Sequence, residues 1–371
     1  MEYRLIRLEP RLTPSTATRV VTPLLAIVLT VLTGLVIFAL LGKNPIHGFE
    51  VFFVNPLKTT YGISEWLLKA TPLALCAAGL AVGFRASVWN IGAEGQFILG
   101  AIGATLVALY AGSFTVLTLV MMVVAGIAAG ALWAAIPAFL KTRFNASEIL
   151  VSLMLVYVAE LLVSWLVFGP LRDPMGFNFP QTIMFEPQSL LPILIPGTRL
   201  NLVLGFVLVV LLATYVLVFK TYLGFKMRVA GESVSAARYA GVPAHTMVWL
   251  GLLIGGGCAG LAGMAEVAGP MGQLTDKVGS GYGFAAIIVA FVGRLHPVGI
   301  ALASLLMALF FIGGEQAQQY LGLPASISMV FQGLLLFYLL ATDVLIGYRV
   351  KFTGALGGAP APATARQSKA G

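Results

Sequence analysis

Ten apolar runs punctuate the chain, and their lengths constrain its fold more than any other feature. They fall at residues 24–41, 65–84, 97–110, 116–140, 149–168, 200–219, 247–268, 285–292, 298–312 and 327–346. A helix needs about 20 apolar residues to cross a bilayer, and lipid tolerates no unpaired backbone, so such runs read as membrane-crossing helices. Composition agrees: 59% of the 371 residues are hydrophobic and 10% charged, against about 25% charged in soluble chains. The expected fold is an all-α polytopic membrane protein with about ten transmembrane helices, some broken or re-entrant. The run at 285–292 is the short one. It either crosses or re-enters, and in the second case another break must restore the parity.

Charge sets the orientation. Of the 22 Lys and Arg residues, 16 lie before the first run, in alternate connections or in the tail, and only Lys43, Lys58, Lys69, Arg172, Arg199 and Lys277 lie on the other side. Basic residues favour cytoplasmic loops, so both termini are expected in the cytoplasm. The net charge of +8 sits at the ends of apolar runs rather than on one face, which argues for membrane lipid and against nucleic acid. Three parts follow: a cytoplasmic N-terminal segment at 1–22, a transmembrane domain at 23–348, and a Gly-, Ala- and Pro-rich cytoplasmic tail at 349–371, expected to be disordered. The first run reads as a signal anchor, since no clear cleavage site follows it. Cys76 and Cys258 are too few and too far apart for a disulfide framework or a metal site. No phosphate-binding loop is present: Gly42-Lys43 has Ile37 in place of the first glycine and Asn44 in place of Ser or Thr. Any ATPase must be a separate chain.

Two polar stretches stand out. Trp89, Asn90, Gly92, Glu94, Gly95 and Gln96 lie between strongly apolar flanks. A carboxylate at bilayer depth costs about 2.5–3.5 kcal/mol on insertion scales and so marks a functional hypothesis. The glycines would let a helix break and offer backbone groups to a neutral polar ligand, with Trp89 as a stacking face. Alternatively, the segment is a structural junction capping the next helix. The second stretch is a loop at 220–245, with Lys220, Lys226, Arg228 and Arg238 against Glu232. Within it Gly231–Gly241 reads as a short polar helix, opened by Glu232 and Ser233, carrying Ala236, Ala237, Arg238 and Tyr239, and closed at Gly241-Val242-Pro243. A helix with no wide apolar face needs an outside partner or lies on the membrane surface.

Other polar residues read less sharply. Asn145 and Glu148 suit a helix cap, Glu160 lines a path or snorkels outward, and Glu266 is open in the same way. Glu315, Gln316, Gln318 and Gln319 cluster at an outer helix end. His296, beside Arg294 and Pro297, reads as an interfacial loop residue.

These stretches carry a resemblance. Trp89-Asn-Ile-Gly-Ala-Glu-Gly-Gln96, Glu148-Ile-Leu-Val-Ser-Leu-Met-Leu155, Gly169-Pro-Leu-Arg-Asp-Pro174, Gly231–Ala240, Gly293-Arg-Leu-His-Pro-Val-Gly299, Leu323-Pro324 and Gln332-Gly333 follow one another as in permeases of ATP-binding-cassette importers. The chain resembles the branch serving branched-chain amino acids, simple sugars and nucleosides, and most of all the larger permease of basic-membrane-lipoprotein-type nucleoside importers. One departure is Val156, where such relatives often carry Asn. The resemblance implies a multi-pass subunit of the bacterial cytoplasmic (inner) membrane that forms the path for nucleosides or a related simple sugar. It implies no catalytic residue, metal or cofactor on this chain, with ATP and Mg used by a partner ATPase that docks at 220–245. A second, non-identical permease and an extracytoplasmic substrate-binding protein complete the expected partners. The rival class is an ion-coupled secondary transporter of a small polar solute, with Glu94, Glu160 and Glu266 as its relay. That reading gives the 220–245 loop no role.

Overall fold

A computed structural model of the chain describes residues 6–10, 16–111, 115–239, 241–324 and 326–352, with side chains for all of these except 6–20, 115, 234, 236 and 346–352. The helices are α1 (Thr16–Leu40), α2 (Pro45–Phe49), α3 (Thr60–Arg85), α4 (Ala93–Tyr110), α5 (Thr115–Phe144), α6 (Glu148–Phe168), α7 (Val203–Lys220), α8 (Tyr222–Glu232), α9 (Val234–Tyr239), α10 (Ala244–Glu266), α11 (Tyr282–Val292), α12 (Pro297–Leu321) and α13 (Ile327–Gly347). Among the described residues nine helices are long and apolar enough to cross a membrane, and α11 is a shorter apolar one. The chain is an all-α polytopic membrane protein. Its one described strand pair, β1 (Ile6–Pro10) and β2 (Tyr348–Phe352), is antiparallel, with Ile6 opposite Phe352 and Pro10 opposite Tyr348. The rest of the expected tail, residues 353–371, lies outside the described residues.

Two compact units make up the chain, residues 1–33 with 334–371, and residues 34–333. In the first, the hydroxyls of Thr33 and Tyr338 meet at 2.6 Å and the Thr342 hydroxyl donates to the Thr22 carbonyl at 3.2 Å. In the second, α10 packs against α3, α4 and α5. Lipid supplies no hydrophobic drive between helices, so close backbone approach carries the packing. Gly256 and Gly260 of α10 meet Gly126 and Gly130 of α5, and Gly260 also meets Gly100 of α4. α3 is enclosed by α7, α10, α11 and α12, and its apolar stretch is 89% buried, while those of α5, α6 and α7 are 22% buried and face outward. Elsewhere Phe52 stacks on Phe331 at 4.5 Å, with Phe38 and Phe310 within 6.3 Å of it.

The long loop between α6 and α7 is ordered by main-chain bonds rather than by helix. Thr182 N–H donates to the Leu274 carbonyl at 2.9 Å, Phe185 N–H to Gly272 at 2.8 Å, and Leu191 N–H to Ala268 at 2.8 Å. These bonds hold the chain that leaves α10, which runs through one π-helical turn (Val267–Met271) and then without helix to Gly281.

Candidate functional site

The residues around Glu94 are placed by a re-entrant turn. Arg85 ends α3, residues 86–92 turn back, and α4 starts at Ala93. A methyl on Gly251 would sit 3.1 Å from the Gly83 Cα, and one on Gly255 would sit 3.1 Å from the Asn90 side-chain nitrogen. Gly255 is 11 residues into α10, which at 1.5 Å per residue is about 16 Å along a helix long enough to cross the membrane. The Asn90 turn therefore lies well inside the bundle, and α4 starts there rather than at a surface.

Within the turn the polar groups satisfy one another. Asn90 Nδ2 donates to Gln96 Oε1 at 2.8 Å, and Gln96 Nε2 donates back to Asn90 Oδ1 at 3.0 Å. The Gly92 N–H also donates to Asn90 Oδ1, at 3.0 Å. Ser152 Oγ of α6 accepts from the Ile91 N–H at 3.2 Å. Gly92 and Gly95 bring the turn against α6, at Ser152 and Val156 respectively. Val156, the departure from the expected Asn, is buried against Gly95 and faces the protein interior. Trp89 stacks with Phe291 at 5.9 Å and lies 5.2 Å from Phe84, leaving 38% of its surface exposed.

Glu94 is buried and reaches across to α11. Its Oε1 accepts the Gly281 N–H at 2.8 Å and its Oε2 accepts the Gly283 N–H. The carboxylate thus caps a helix start, where unpaired amides and the helix dipole favour negative charge. Two glycines make this possible. Gly281 has φ +81, and a methyl on Gly283 would collide with the Glu94 backbone. The short run at 285–292 is therefore a half-helix. Its upper half is replaced by the irregular chain 272–281, backbone that membrane proteins place only against protein or a watery cavity. A groove of about 980 Å³ runs along this chain, lined by Tyr157, Glu160 and Ser164 of α6 with Asp276, Lys277 and Ser280. Of these only Glu160 stood out in the sequence. The missed signal was the Gly-rich stretch Val278-Gly-Ser-Gly-Tyr-Gly283 before an apolar run too short to cross, the mark of a broken helix.

The 220–245 stretch holds two helices with a break at Ser233: Gly231 and Glu232 end α8 instead of opening the short helix expected at Gly231–Gly241, which starts at Val234. Glu232 ends α8 and is exposed. Gly231 abuts the Arg85 carbonyl, and its own carbonyl accepts the Ser87 hydroxyl at 2.9 Å. On α9, Ala237 is fully buried, in an apolar cluster with Met227, Ala230, Val242 and Met247. The helix thus buries Ala237 where a helix with no face wide enough to bury was expected. Arg238 is exposed, Tyr239 is 95% exposed, and the Ala236 side chain lies outside the described residues. Gly241, at φ +70, closes α9, with Val242 N–H donating to the Ala237 carbonyl at 2.9 Å. A cavity of about 530 Å³ opens beside this segment, lined by Ser87, Lys141, Glu148, Gly231, Arg238 and His245 among others.

The remaining candidates have local roles. Ser147 caps α6, while Glu148 pairs with Lys141 at 3.0 Å. His296 Nδ1 accepts the Val298 N–H at 3.3 Å, capping α12. Glu315 pairs with Lys69 at 2.5 Å. Arg199 holds Glu65 with two hydrogen bonds, and that pairing raises the guanidinium pKa above its ordinary value. Glu266 lines a cavity of about 200 Å³ beside this pair, with Lys69, Ser280 and Tyr282.

Comparison with known proteins agrees with this architecture. The family described as branched-chain amino acid transport system / permease component matches residues 62–340. A glucose ABC transporter permease protein of Haloferax volcanii is 36% identical, over 97% of this chain and 97% of its own. A nucleoside ABC transporter permease protein of Lactococcus lactis is 28% identical, over 86% of this chain and 90% of its own. A guanosine ABC transporter permease protein of Bacillus subtilis is 27% identical, over 89% and 94%. The match over residues 62–340 and the nine helices long enough to cross a membrane among the described residues together place it: the protein belongs to the branched-chain amino acid transport system permease family, as a multi-pass permease subunit of the ATP-binding-cassette class.

Proposed function

We propose that this chain is one of two non-identical permease subunits of an importer in the cytoplasmic (inner) membrane, and that its substrate is a neutral polyhydroxylated solute, a nucleoside or a simple sugar. The observation that carries the reading is the α8–α9 segment. Its inner side is buried and bonded to the α3–α4 turn, while Arg238 and Tyr239 project free for a partner. A separate ATPase docks there, uses ATP and Mg, and shifts the permease between two packed states. The chain itself holds no cofactor and catalyses no reaction. An external binding protein delivers the substrate to the opposite face, and both termini lie with α8–α9 in the cytoplasm.

The path follows the groove between α6 and residues 276–281. Tyr157, Ser164 and Ser280 offer hydroxyls there, and Glu160, Asp276 and Lys277 offer charged partners, replacing the water a polyol loses at bilayer depth. Trp89, Asn90, Gly92, Glu94, Gly95 and Gln96 lie behind this groove, with Glu94 bonded to Gly281 of the groove wall. Their amides and carboxylate are engaged with one another and with α11, so they shape the path more than they bind within it. The names of the relatives support this substrate class, one being a glucose permease and two nucleoside or guanosine permeases.

The test is uptake by cells expressing the chain with its ATPase, companion permease and binding protein. Labelled glucose, adenosine and guanosine are offered in turn. Uptake of at least one should require ATP and survive a protonophore. Uptake that collapses with the protonophore and ignores ATP depletion would replace this reading with an ion-coupled transporter.

A further inference from the structure

Helix α11 is held at both ends by charged side chains from a single turn. At its start, Glu94 accepts the N–H groups of Gly281 and Gly283. At its end, the Arg85 guanidinium donates to the Leu295 carbonyl, from Nη2 at 2.9 Å and from Nε at 3.3 Å. The Leu295 turn is part of the helix terminus, because Leu295 N–H donates to the Ala290 carbonyl at 2.9 Å. Each charge has the sign the helix dipole favours at its end, negative at the N-terminus and positive at the C-terminus. Arg85 and Glu94 border the turn 86–92, and α11, with 11 residues, is about 16 Å long.

The Arg85 end of this bracket also touches the segment that faces the ATPase. The guanidinium lies 4.6 Å from the centre of the Phe219 ring at the end of α7, one residue before Lys220 leads into α8. The Arg85 carbonyl abuts Gly231, and Ser87 bonds the Gly231 carbonyl. The end of α7 that leads into α8 and the far end of α8 therefore both bear on Arg85, one of the two residues that grip α11. Packed elements shift as units, because well-packed contacts do not deform continuously.

We propose that Arg85 and Glu94 form a two-ended clamp that makes α11 move with α8–α9. The clamp delivers displacement at the ATPase-facing side to Gly281, inside the bundle, where the groove begins. Arg85 and Glu94 are positioning residues that act through α11. This rests on the permease reading above, and the two can fail separately.

The test uses the full transporter complex in lipid, with Cys76 and Cys258 replaced by Ala. Spin labels are placed at Phe284→Cys on α11 or Tyr222→Cys on α8, each paired with Leu132→Cys on α5, all three being exposed positions. Trapping the ATPase with ATP and vanadate should change both distances in the otherwise unaltered complex. In Arg85→Met and in Glu94→Gln, the Tyr222 distance should still change while the Phe284 change is lost. Arg85→Lys, which keeps a cation for the Leu295 carbonyl, should restore part of the Phe284 change. Uptake should fall about tenfold or more in Arg85→Met, the worth of one charge-assisted hydrogen bond. An undiminished Phe284 change in both variants would overturn the clamp and leave the permease reading standing. No nucleotide-driven change at Tyr222 in the unaltered complex would overturn the permease reading, and the clamp with it.

Discussion

Substituting alanine at two glycines should have opposite effects, and the structure says by how much. A methyl on Gly260 would lie 3.0 Å from the Gly130 Cα and closer still to the Gly126 carbonyl. Carbon atoms rest at about 3.5–4.0 Å, and the tighter overlap with the Gly126 carbonyl sets the requirement, so α5 must retreat by about 1 Å or more. α10 cannot give way instead, because the Gly260 backbone is already against Gly100 of α4. Overpacking a well-packed site costs about 1–3 kcal/mol, and with helices on both sides the upper end applies. At roughly 2.1 cal/mol/K per residue, a loss of about 3 kcal/mol lowers Tm by about 4 °C for a chain of this length. Gly333 of α13 has nothing within 4 Å of where its methyl would sit. There, alanine gains about 1 kcal/mol of helix propensity. The assay is thermal unfolding of the purified subunit in detergent, followed by tryptophan fluorescence. Gly260→Ala should melt lower than the parent and Gly333→Ala at or above it. The reverse order would show that glycine contacts do not set the α4–α5–α10 packing.

Three further outcomes follow from side-chain placement. Ala237→Trp should cut the yield of folded protein, because Ala237 is fully buried and overpacking costs about 1–3 kcal/mol. Arg238→Glu should leave yield intact and uncouple ATP hydrolysis from uptake, and identical behaviour of the two variants would mean that α9 has no distinct inner and outer side. Arg199→Met should destabilise by about 1–2 kcal/mol, less than a buried pair because the arginine is half exposed; adding Glu65→Gln should recover part of it, and strictly additive losses would count against the pairing. Cysteines at Phe177 and Tyr239, each 95% exposed, should react with an impermeant reagent from opposite sides of the membrane, and reaction of both from one side would refute the proposed topology.

Much of this protein is legible in the chain because lipid is an undemanding solvent to read. Every backbone group in it must pair within its own segment, so each apolar run had to be a helix, and nine of the ten runs are helices long enough to cross. The end of α9 at Gly241 was legible as well, since a left-handed residue there suits glycine. Sequence periodicity could not reveal what the polar residues face, because that depends on partners far away in the chain. Glu94 and Gly281 are 187 residues apart and bonded, and Arg85 and Leu295 are 210 apart and bonded. The sequence marked Glu94 as costly at depth and left open whether a ligand or the protein relieves that cost. The fold relieves it with the start of α11. Ala237 was read as part of an outward-facing helix, yet it is buried, because α9 is too short for its pattern to show which side meets the bundle. Hydropathy determines what enters the membrane, a property of each run alone, whereas the partner of a buried charge is decided by which helix ends the packing brings together.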